Sequence, residues 1–274
     1  MIPLRDENPT RRFPAVTVAL LVVNIGAFLF LQPQGKQLLG NRDRFVDPQT
    51  AQVEELQFNF QYAAVPCELT QGHPLTAEEL RDTVVTGDDT ACDSHDTGPE
   101  VFPDKNIWLA VLLSMFLHAN LLHLGGNMLF LWIFGNNIED HLGAIRYALF
   151  YLLGGIVAAG AHVVVQPDST VPVIGASGAI AGVMGAYLVW FPNAPILTLF
   201  IFFLILFRRI RAKWLLAFWF VSQFFVAPGE GVAWVAHVGG FLFGVLVGLL
   251  VRGSRAVRRA AWRSTYADPV DPWR

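Results

Sequence analysis

The stretch VIGASGAIAGVMGAY, residues 173–187, places a single serine among glycines and alanines at the start of a long apolar run. Ser177, Ala181 and Gly185 follow one another at four-residue spacing, and Gly178 begins a second row of small residues beside them. Residues four apart lie on one face of an α-helix, and faces of small residues let two membrane helices approach closely. The stretch therefore predicts a helix that begins near the serine and packs tightly against a partner helix.

The composition of the chain places this helix in a membrane. Of the 274 residues, 54% are hydrophobic and 15% are charged, and the mean hydropathy is +0.45. An ordinary soluble domain has about 25% charged residues, and several apolar runs here approach the length of about 20 residues that crosses a bilayer. We therefore expect an all-α, polytopic membrane protein that is surrounded by the lipid bilayer, and we expect no binding of nucleic acid.

Six apolar segments are candidate transmembrane helices. They are residues 14–32, 108–134, 146–165, 177–191, 213–227 and 232–251. The first segment could be taken for a signal peptide, but it is longer than the usual h-region of about 7–15 residues and no small-x-small cleavage site follows it. We interpret it as a retained span.

The apolar run 195–207 leaves the number of spans open between six and seven. It is followed by the basic sequence RRIRAK, residues 208–213, and both ends of the chain are rich in arginine. If the run lies at the interface or bends back, six spans place all three basic segments on one side, as the positive-inside rule favours. Charge therefore predicts six spans in the plasma membrane or a bacterial inner membrane, with residues 1–13 and 253–274 in the cytoplasm.

A polar insert separates the first two spans. Residues 34–106 contain 14 acidic and 5 basic residues, and with six spans the whole connection, 33–107, lies on the extracytoplasmic side. Its two cysteines, Cys67 and Cys92, then face an oxidising environment, which permits a disulfide. The insert is either a small docking domain or a flexible loop, and its acidic, Pro- and Gly-containing composition favours the loop.

His237 is the only ionisable residue in the last span. Ionisable residues inside spans are rare and usually mark a partner or a function, although a neutral histidine can also be hydrogen-bonded for packing alone. Gly240 and Gly244 lie on the same helical face as His237 and match the small-residue face behind Ser177. Close approach of the two faces would bring the Ser177 hydroxyl within reach of the ring, and a neighbouring histidine makes a serine nucleophilic.

The second span begins with HANLLHLGGNMLFLW, residues 118–132. His123 and Asn127 are four apart and share a helix face, and both can donate hydrogen bonds to a developing negative oxygen. We expect His118, which lies further towards the interface, to be a structural hydrogen-bonding residue. A metal site is the rival interpretation, but there is no HExxH motif and no intramembrane carboxylate to complete a ligand set, so we predict no metal.

Two glycines, Gly175 and Gly178, flank Ser177. Gly175 would let the loop backbone come close to the site, and the N-terminus of a helix presents free N–H groups that can bind an oxyanion. With six spans, the second, fourth and sixth all enter the membrane from the outer side, so Ser177, His237 and the polar residues of the second span share one depth. A shared depth favours a catalytic site over a transport path.

Three stretches carry a resemblance to a known family. FLHANLLHLGGNMLFLW (116–132), GASGAIAGVMGAY (175–187) and AHVGGFLFG (236–244) lie in this order on spans 2, 4 and 6. Together they resemble the rhomboid intramembrane serine proteases, and the resemblance extends over the core, residues 108–252. It implies a six-helix bundle with a long loop between helices 1 and 2. It also identifies the segment 195–213 with the loop that joins spans 4 and 5.

The resemblance implies a role for each candidate site residue. Ser177 would be the nucleophile and His237 its general base, in a dyad without a third carboxylate. His123 and Asn127 would line the oxyanion hole together with the Ser177 backbone N–H. The implied reaction is peptide-bond hydrolysis through an acyl-enzyme near the outer membrane boundary. The implied substrates are proteins with a single transmembrane helix, and no cofactor is implied.

The chain also departs from the family pattern in places. Leu109 and Ala110 stand where members often carry a Trp-Arg pair, Ala181 stands where an aromatic residue often stacks on the histidine, and the insert is longer than usual. None of these departures removes a catalytic group. The alternative is a weakly active or non-proteolytic relative that binds membrane proteins without cutting them. The sequence does not indicate an oligomeric state.

Overall fold

Helices make up most of the protein. The computed structural model describes residues 1–39, 47–93, 98–201, 205–226 and 233–252. The helices in these ranges are α1 (Ala15–Phe30), α2 (Pro33–Leu39), α3 (Pro48–Tyr62), α4 (Pro66–Gln71), α5 (Ala77–Arg81), α6 (Ile107–Ser114), α7 (Leu121–Leu142), α8 (Ala144–Val165), α9 (Ser177–Trp190), α10 (Ala212–Ser222) and α11 (Trp234–Arg252). A π-helical turn follows α5 at Asp82–Thr86, and a 3-10 turn follows α10 at Gln223–Phe225. The predicted basic tail, 253–274, lies outside the described residues.

Helix α9 lies at the centre of the bundle. All of its residues except Ser177 and Leu188 are buried, and it contacts α7, α8, α10 and α11. Its small residues explain this position, because glycine and alanine leave room for several neighbouring helices at once. The helix begins at Ser177, so this serine lies at the N-terminal end of the most enclosed helix.

The outer helices carry large apolar side chains on their exposed faces. Examples are Val22, Phe30, Leu149, Leu153, Ile156, Phe218, Leu242, Leu246 and Leu249. Contiguous apolar faces of this kind are unusual on soluble monomers and fit a lipid environment.

Among the described residues, α8 and the Trp234–Val251 part of α11 are long and apolar enough to cross a membrane. The α1–α2 pair, bent by 81°, is a third candidate if it counts as one span. The prediction of a largely helical membrane protein is confirmed, and the count of six spans stays a prediction.

The predicted second span, 108–134, consists of two helices. Helix α6 ends at Ser114 and α7 begins at Leu121. The Asn120 side chain caps α7 by accepting the His123 N–H at 2.8 Å, which stabilises a new helix start at this point. The intervening turn is fixed by Gln32, whose side chain accepts the His118 N–H at 2.9 Å and donates to the His118 carbonyl at 2.8 Å.

The described residues of the apolar run 195–207 form strands instead of a helix. Strands β2 (Pro195–Ile201) and β3 (Ile205–Arg211) pair antiparallel, and β1 (Ile2–Asp6) adds to the free edge of β2. Alternate residues of β2, Ile196 and Thr198, are buried, which is the two-residue period of a strand. The run therefore does not cross the membrane as a helix. This three-stranded sheet is the exception to the all-α prediction.

The described parts of the insert are folded, so the composition-based preference for a flexible loop is wrong there. Helices α3, α4 and α5 enclose a small apolar cluster formed by Phe60, Val65, Cys67 and Leu75. Cys67 and Cys92 are joined by a disulfide. The Lys105 ammonium lies 2.5 Å from the Glu68 carboxylate, and both side chains are buried. Burial raises the pKa of Glu68 and lowers the pKa of Lys105, so each group depends on the other to stay charged.

Removal of the disulfide is expected to loosen the insert. The bond closes a loop with a sequence separation of 25 residues, and the chain-entropy relation gives about 3.5 kcal/mol of stabilisation for a loop of this size. The variant Cys67→Ala/Cys92→Ala should therefore be cut faster within the insert by a soluble protease, while the helices around α9 stay protected. Wild-type protein treated with a reductant is the matched control and should behave like the variant. Equal cleavage rates with and without the disulfide would contradict this prediction.

Candidate active site

Ser177 and His237 are in direct contact although 60 residues separate them in the chain. The Ser177 Oγ lies 2.7 Å from the His237 Nε2, which is the distance of a good hydrogen bond. Ser177 is the first residue of α9, and His237 lies in the first turn of α11. The two helices therefore present both groups from the same end of the bundle.

The approach of α9 and α11 depends on glycines at their contact. A Cβ on Gly240 would overlap the carbonyl oxygen of Gly178, and a Cβ on Gly244 would overlap the carbonyl oxygen of Gly182. The two backbones are thus in van der Waals contact, with no room for a side chain between them. These glycines set the distance between the serine and the histidine.

The other ring nitrogen of His237 is also hydrogen-bonded. The His237 Nδ1 lies 2.7 Å from the side-chain oxygen of Gln223, which is buried at the end of α10. The Trp219 ring lies near the imidazole, with the ring centroids 5.9 Å apart. The sequence interpretation missed Gln223, although it is one of only two polar residues, with Ser222, in the apolar stretch WLLAFWFVSQFF.

His123 faces the serine across Gly175. Its Nδ1 accepts the Ala119 N–H at 3.3 Å, so the ring proton lies on Nε2. A Cβ on residue 175 would stand 2.9 Å from that Nε2 and 3.5 Å from the Ser177 Oγ. Gly175 also has φ +125°, a conformation that other residues rarely adopt. Only glycine fits here, and its missing side chain leaves a gap between the imidazole donor and the serine.

Asn127 adds a second donor on the same helix face as His123. The residue is buried, and its Nδ2 has no hydrogen-bond partner among the described residues. A buried amide without an acceptor is costly, so this donor is suited to an oxygen that arrives with a ligand. The His118 ring packs edge-on against His123 with centroids 5.2 Å apart. His118 thus supports His123 by packing, while its hydrogen bonds to Gln32 use its backbone.

The insert holds the loop that leads into Ser177. Val173 donates its N–H to the Ala64 carbonyl at 2.8 Å, and Ser169 accepts the Cys67 N–H at 2.9 Å. The side chain of Ser114 accepts the Ala64 N–H at 2.7 Å, and its carbonyl accepts the Gly175 N–H at 2.9 Å. The pre-serine loop is therefore tied to both the insert and α6. The sequence offered no signal for these contacts, because all but the Ser114 hydroxyl bond use only backbone groups.

Possible metal ligands lie away from this site. Among the described residues, Cys67, Glu79 and Cys92 form the one group of three close ligand-type side chains. Both cysteines are consumed by the disulfide, so their sulfurs are not available as thiolates. The group belongs to the interior of the insert.

The chain matches a known family model and several known proteins. A family model of the Rhomboid domain matches residues 105–254. The chain is 32% identical over 168 residues to "Rhomboid protein 1, mitochondrial" of Saccharomyces cerevisiae, covering 58% of this chain and 46% of the relative. It is 33% identical over 144 residues to "RHOMBOID-like protein 6, mitochondrial" of Arabidopsis thaliana, covering 52% of this chain and 43% of the relative. It is 41% identical over 81 residues to "Rhomboid protease GluP" of Bacillus subtilis, covering 30% of this chain and 15% of the relative. The matches span less than half the length of each relative.

The names of the relatives correct the predicted location. The sequence predicted the plasma membrane or a bacterial inner membrane with cytoplasmic termini, whereas two of these relatives are named mitochondrial and point to a mitochondrial membrane. The prediction was wrong because a bias of basic residues reports which side of a membrane a loop occupies, and carries no information on which membrane it is. The Rhomboid domain model covers more than half of the chain, and the protein therefore belongs to the rhomboid family.

Proposed function

We propose that this protein is an intramembrane serine endopeptidase that cleaves transmembrane segments of membrane proteins. The observation that carries the proposal is the 2.7 Å hydrogen bond between the Ser177 Oγ and the His237 Nε2. A serine with an adjacent histidine base is an activated nucleophile. The name of the Bacillus subtilis relative, a rhomboid protease, supports the same chemistry.

The proposed reaction has two halves that use the same base. The Ser177 Oγ attacks the scissile carbonyl carbon while the His237 Nε2 takes the hydroxyl proton. His237 then gives that proton to the leaving amine, the C–N bond breaks, and the acyl group stays on Ser177. Water attacks the ester next, and its proton passes through His237 back to the Ser177 oxygen. The free enzyme and a carboxylic acid product result.

Three donors are proposed to hold the oxyanion. They are the Ser177 backbone N–H, the His123 Nε2–H and the Asn127 amide. The N–H of Ser177 lies in the first turn of α9, where no helical carbonyl can accept it. The His123 proton borders the gap beside Gly175, and the Asn127 Nδ2 has no partner among the described residues. Loss of one such donor typically costs a factor of about 10²–10³ in kcat.

The membrane arrangement is proposed to follow the sequence prediction. Six spans, built from α1, α7, α8, α9, α10 and α11, would place both termini on one side of the membrane. The insert and the site would lie on the opposite side, within the core 108–252. Substrates would be single-span proteins whose helix unwinds near that boundary, because a regular helix hides its carbonyls behind its own hydrogen bonds. An entry close to the aqueous face also gives water access to the acyl-enzyme.

A labelling and cleavage experiment tests the proposal. Purified protein in liposomes is treated with a fluorophosphonate probe, and in parallel with a single-span substrate that carries a tag at each end. We expect covalent label on Ser177 and two substrate fragments, with both lost in Ser177→Ala. Ser169→Ala is the matched control, because it removes a serine of the adjacent loop whose hydroxyl accepts the Val171 N–H at 3.4 Å.

Two outcomes would contradict the proposal. Cleavage that persists in Ser177→Ala would mean that another group is the nucleophile. Wild-type protein that neither takes the label nor cuts the substrate, but still captures it, would favour the alternative of a non-proteolytic factor that binds membrane proteins.

A further inference from the structure

We propose that Gln223 is the positioning residue of His237, in the place that a carboxylate occupies in a Ser-His-Asp triad. Its amide oxygen accepts the His237 Nδ1–H at 2.7 Å. With the proton held on Nδ1, the Nε2 is left unprotonated and can receive the proton of Ser177, 2.7 Å away. This inference rests on the proposed function and adds a third member to the predicted dyad.

The orientation of the Gln223 amide follows from its other contacts. Its Nε2 donates to the Trp219 carbonyl at 3.0 Å and to the Ser222 Oγ at 3.3 Å. The reversed amide would set its oxygen against the Trp219 carbonyl oxygen, so the hydrogen bond to that carbonyl would be lost. The Trp219 carbonyl therefore fixes the amide, and the amide fixes the tautomer of the imidazole.

The hydrogen bonds that link Ser177, His237, Gln223 and the Trp219 carbonyl all run in the same direction. Ser177 donates to His237, His237 donates to Gln223, and Gln223 donates to the Trp219 carbonyl. Hydrogen bonds arranged in series polarise one another. When the imidazole takes the serine proton, the Gln223 oxygen is already in contact with the nitrogen that shares the new positive charge.

An amide suits this position better than a carboxylate for an electrostatic reason. A buried carboxylate loses its hydration, and an ionisable group inside a membrane is expensive unless it is paired. Glutamine keeps the acceptor oxygen without the charge. Gln223 is itself buried, and the described residues that hydrogen-bond the His237 ring are Ser177 and Gln223. Positioning is thus obtained without a buried anion.

The same element supplies a second support for the ring. Trp219 lies one helical turn before Gln223, and its indole lies near the imidazole with centroids 5.9 Å apart. On the α9 side, Ala181 offers no ring to stack on the histidine. The histidine is therefore braced from α10 and the 3-10 turn that follows it.

Two substitutions separate positioning from simple packing. Gln223→Met keeps the length of the side chain but removes the acceptor, and Gln223→Glu keeps the acceptor and adds a charge. We expect Gln223→Met to lower kcat about tenfold with little change in KM, because general-base catalysis, worth about 10²–10⁴, is impaired but not removed. We expect Gln223→Glu to keep kcat and to move the acid limb of the kcat/KM profile to higher pH by about one unit, because the carboxylate stabilises the imidazolium. Among the described residues, His123 and His162 are the other titratable groups near His237, and both remain in the variants.

A direct readout of the tautomer keeps this test separate from the test of proteolysis. Nitrogen-15 spectra of histidine-labelled protein, with the His237 signals assigned by their loss in His237→Ala, should show a proton on Nδ1 in wild type and a mixture of tautomers in Gln223→Met. Gln166→Met, at an exposed glutamine in the loop between α8 and α9, is the matched control and should match wild type. Unchanged kcat and an unchanged Nδ1–H signal in Gln223→Met would overturn the proposal. A failure of wild type to label at Ser177, with the Nδ1–H signal present, would instead count against the proposed function alone.

Discussion

Replacement of His237 by alanine is expected to lower kcat for a single-span substrate by a factor of about 10⁴–10⁶. The imidazole is hydrogen-bonded to the serine at 2.7 Å, and among the described residues no second base contacts that oxygen. Without a base, the hydroxyl of Ser177 stays protonated and is a weak nucleophile. Fluorophosphonate labelling should fall in parallel, since the probe reacts with the same activated oxygen.

The double variant Ser177→Ala/His237→Ala tests whether the two residues act as one unit. Residues that act as one catalytic unit are strongly non-additive, so removing both should cost no more than removing either one. His73→Ala is the matched control, because it removes a histidine of the insert whose ring is hydrogen-bonded to the Pro74 carbonyl. Cleavage rates are measured in liposomes for wild type, Ser177→Ala, His237→Ala, the double variant and His73→Ala. A double variant slower by the product of the two single effects would show that the two residues act independently.

The contact between Ser177 and His237 could be predicted from the sequence because its determinants are local patterns. The small residues that follow Ser177 and His237 recur at helical spacing, and such faces pack closely wherever two of them meet. One contact between two such helices then decides the position of both groups. The same reasoning predicted that His123 and Asn127 lie together, because residues four apart share a helix face.

Other features depend on partners that lie far away in the chain. The run 195–207 is apolar enough for a helix or a strand, and periodicity cannot separate the two over so short a length. Its partner strand β1 lies at the N-terminus, where no apolar periodicity marks it. Gln223 is a lone polar residue, and its contact with His237 depends on how α10 is rotated about its axis. The order of the insert depends on one disulfide and a few buried residues. The acidic composition of the insert does not indicate either feature.

Gly240→Ala is expected to separate Ser177 from His237 without changing either residue. The new Cβ would overlap the carbonyl oxygen of Gly178, the residue next to Ser177. Because this neighbour is backbone, the helices themselves must move apart. Overpacking of this kind costs about 1–3 kcal/mol of stability, and a displacement of about 1 Å at a catalytic contact can cost a factor of about 10² in rate. We therefore expect a large loss of kcat with a modest loss of thermal stability.

Gly160→Ala is the matched control for this substitution. Gly160 also lies inside a helix, α8, but a Cβ there would meet nothing within 4 Å. Alanine is the better helix former by about 1 kcal/mol, so this variant should be at least as stable as wild type and fully active. Thermal unfolding and cleavage are measured on both proteins in the same liposomes. If Gly240→Ala cleaved at the wild-type rate, the backbone contact between α9 and α11 would not be what sets the distance from Ser177 to His237. The hydrogen bond between them would then have to be maintained by Gln223 and α10 alone.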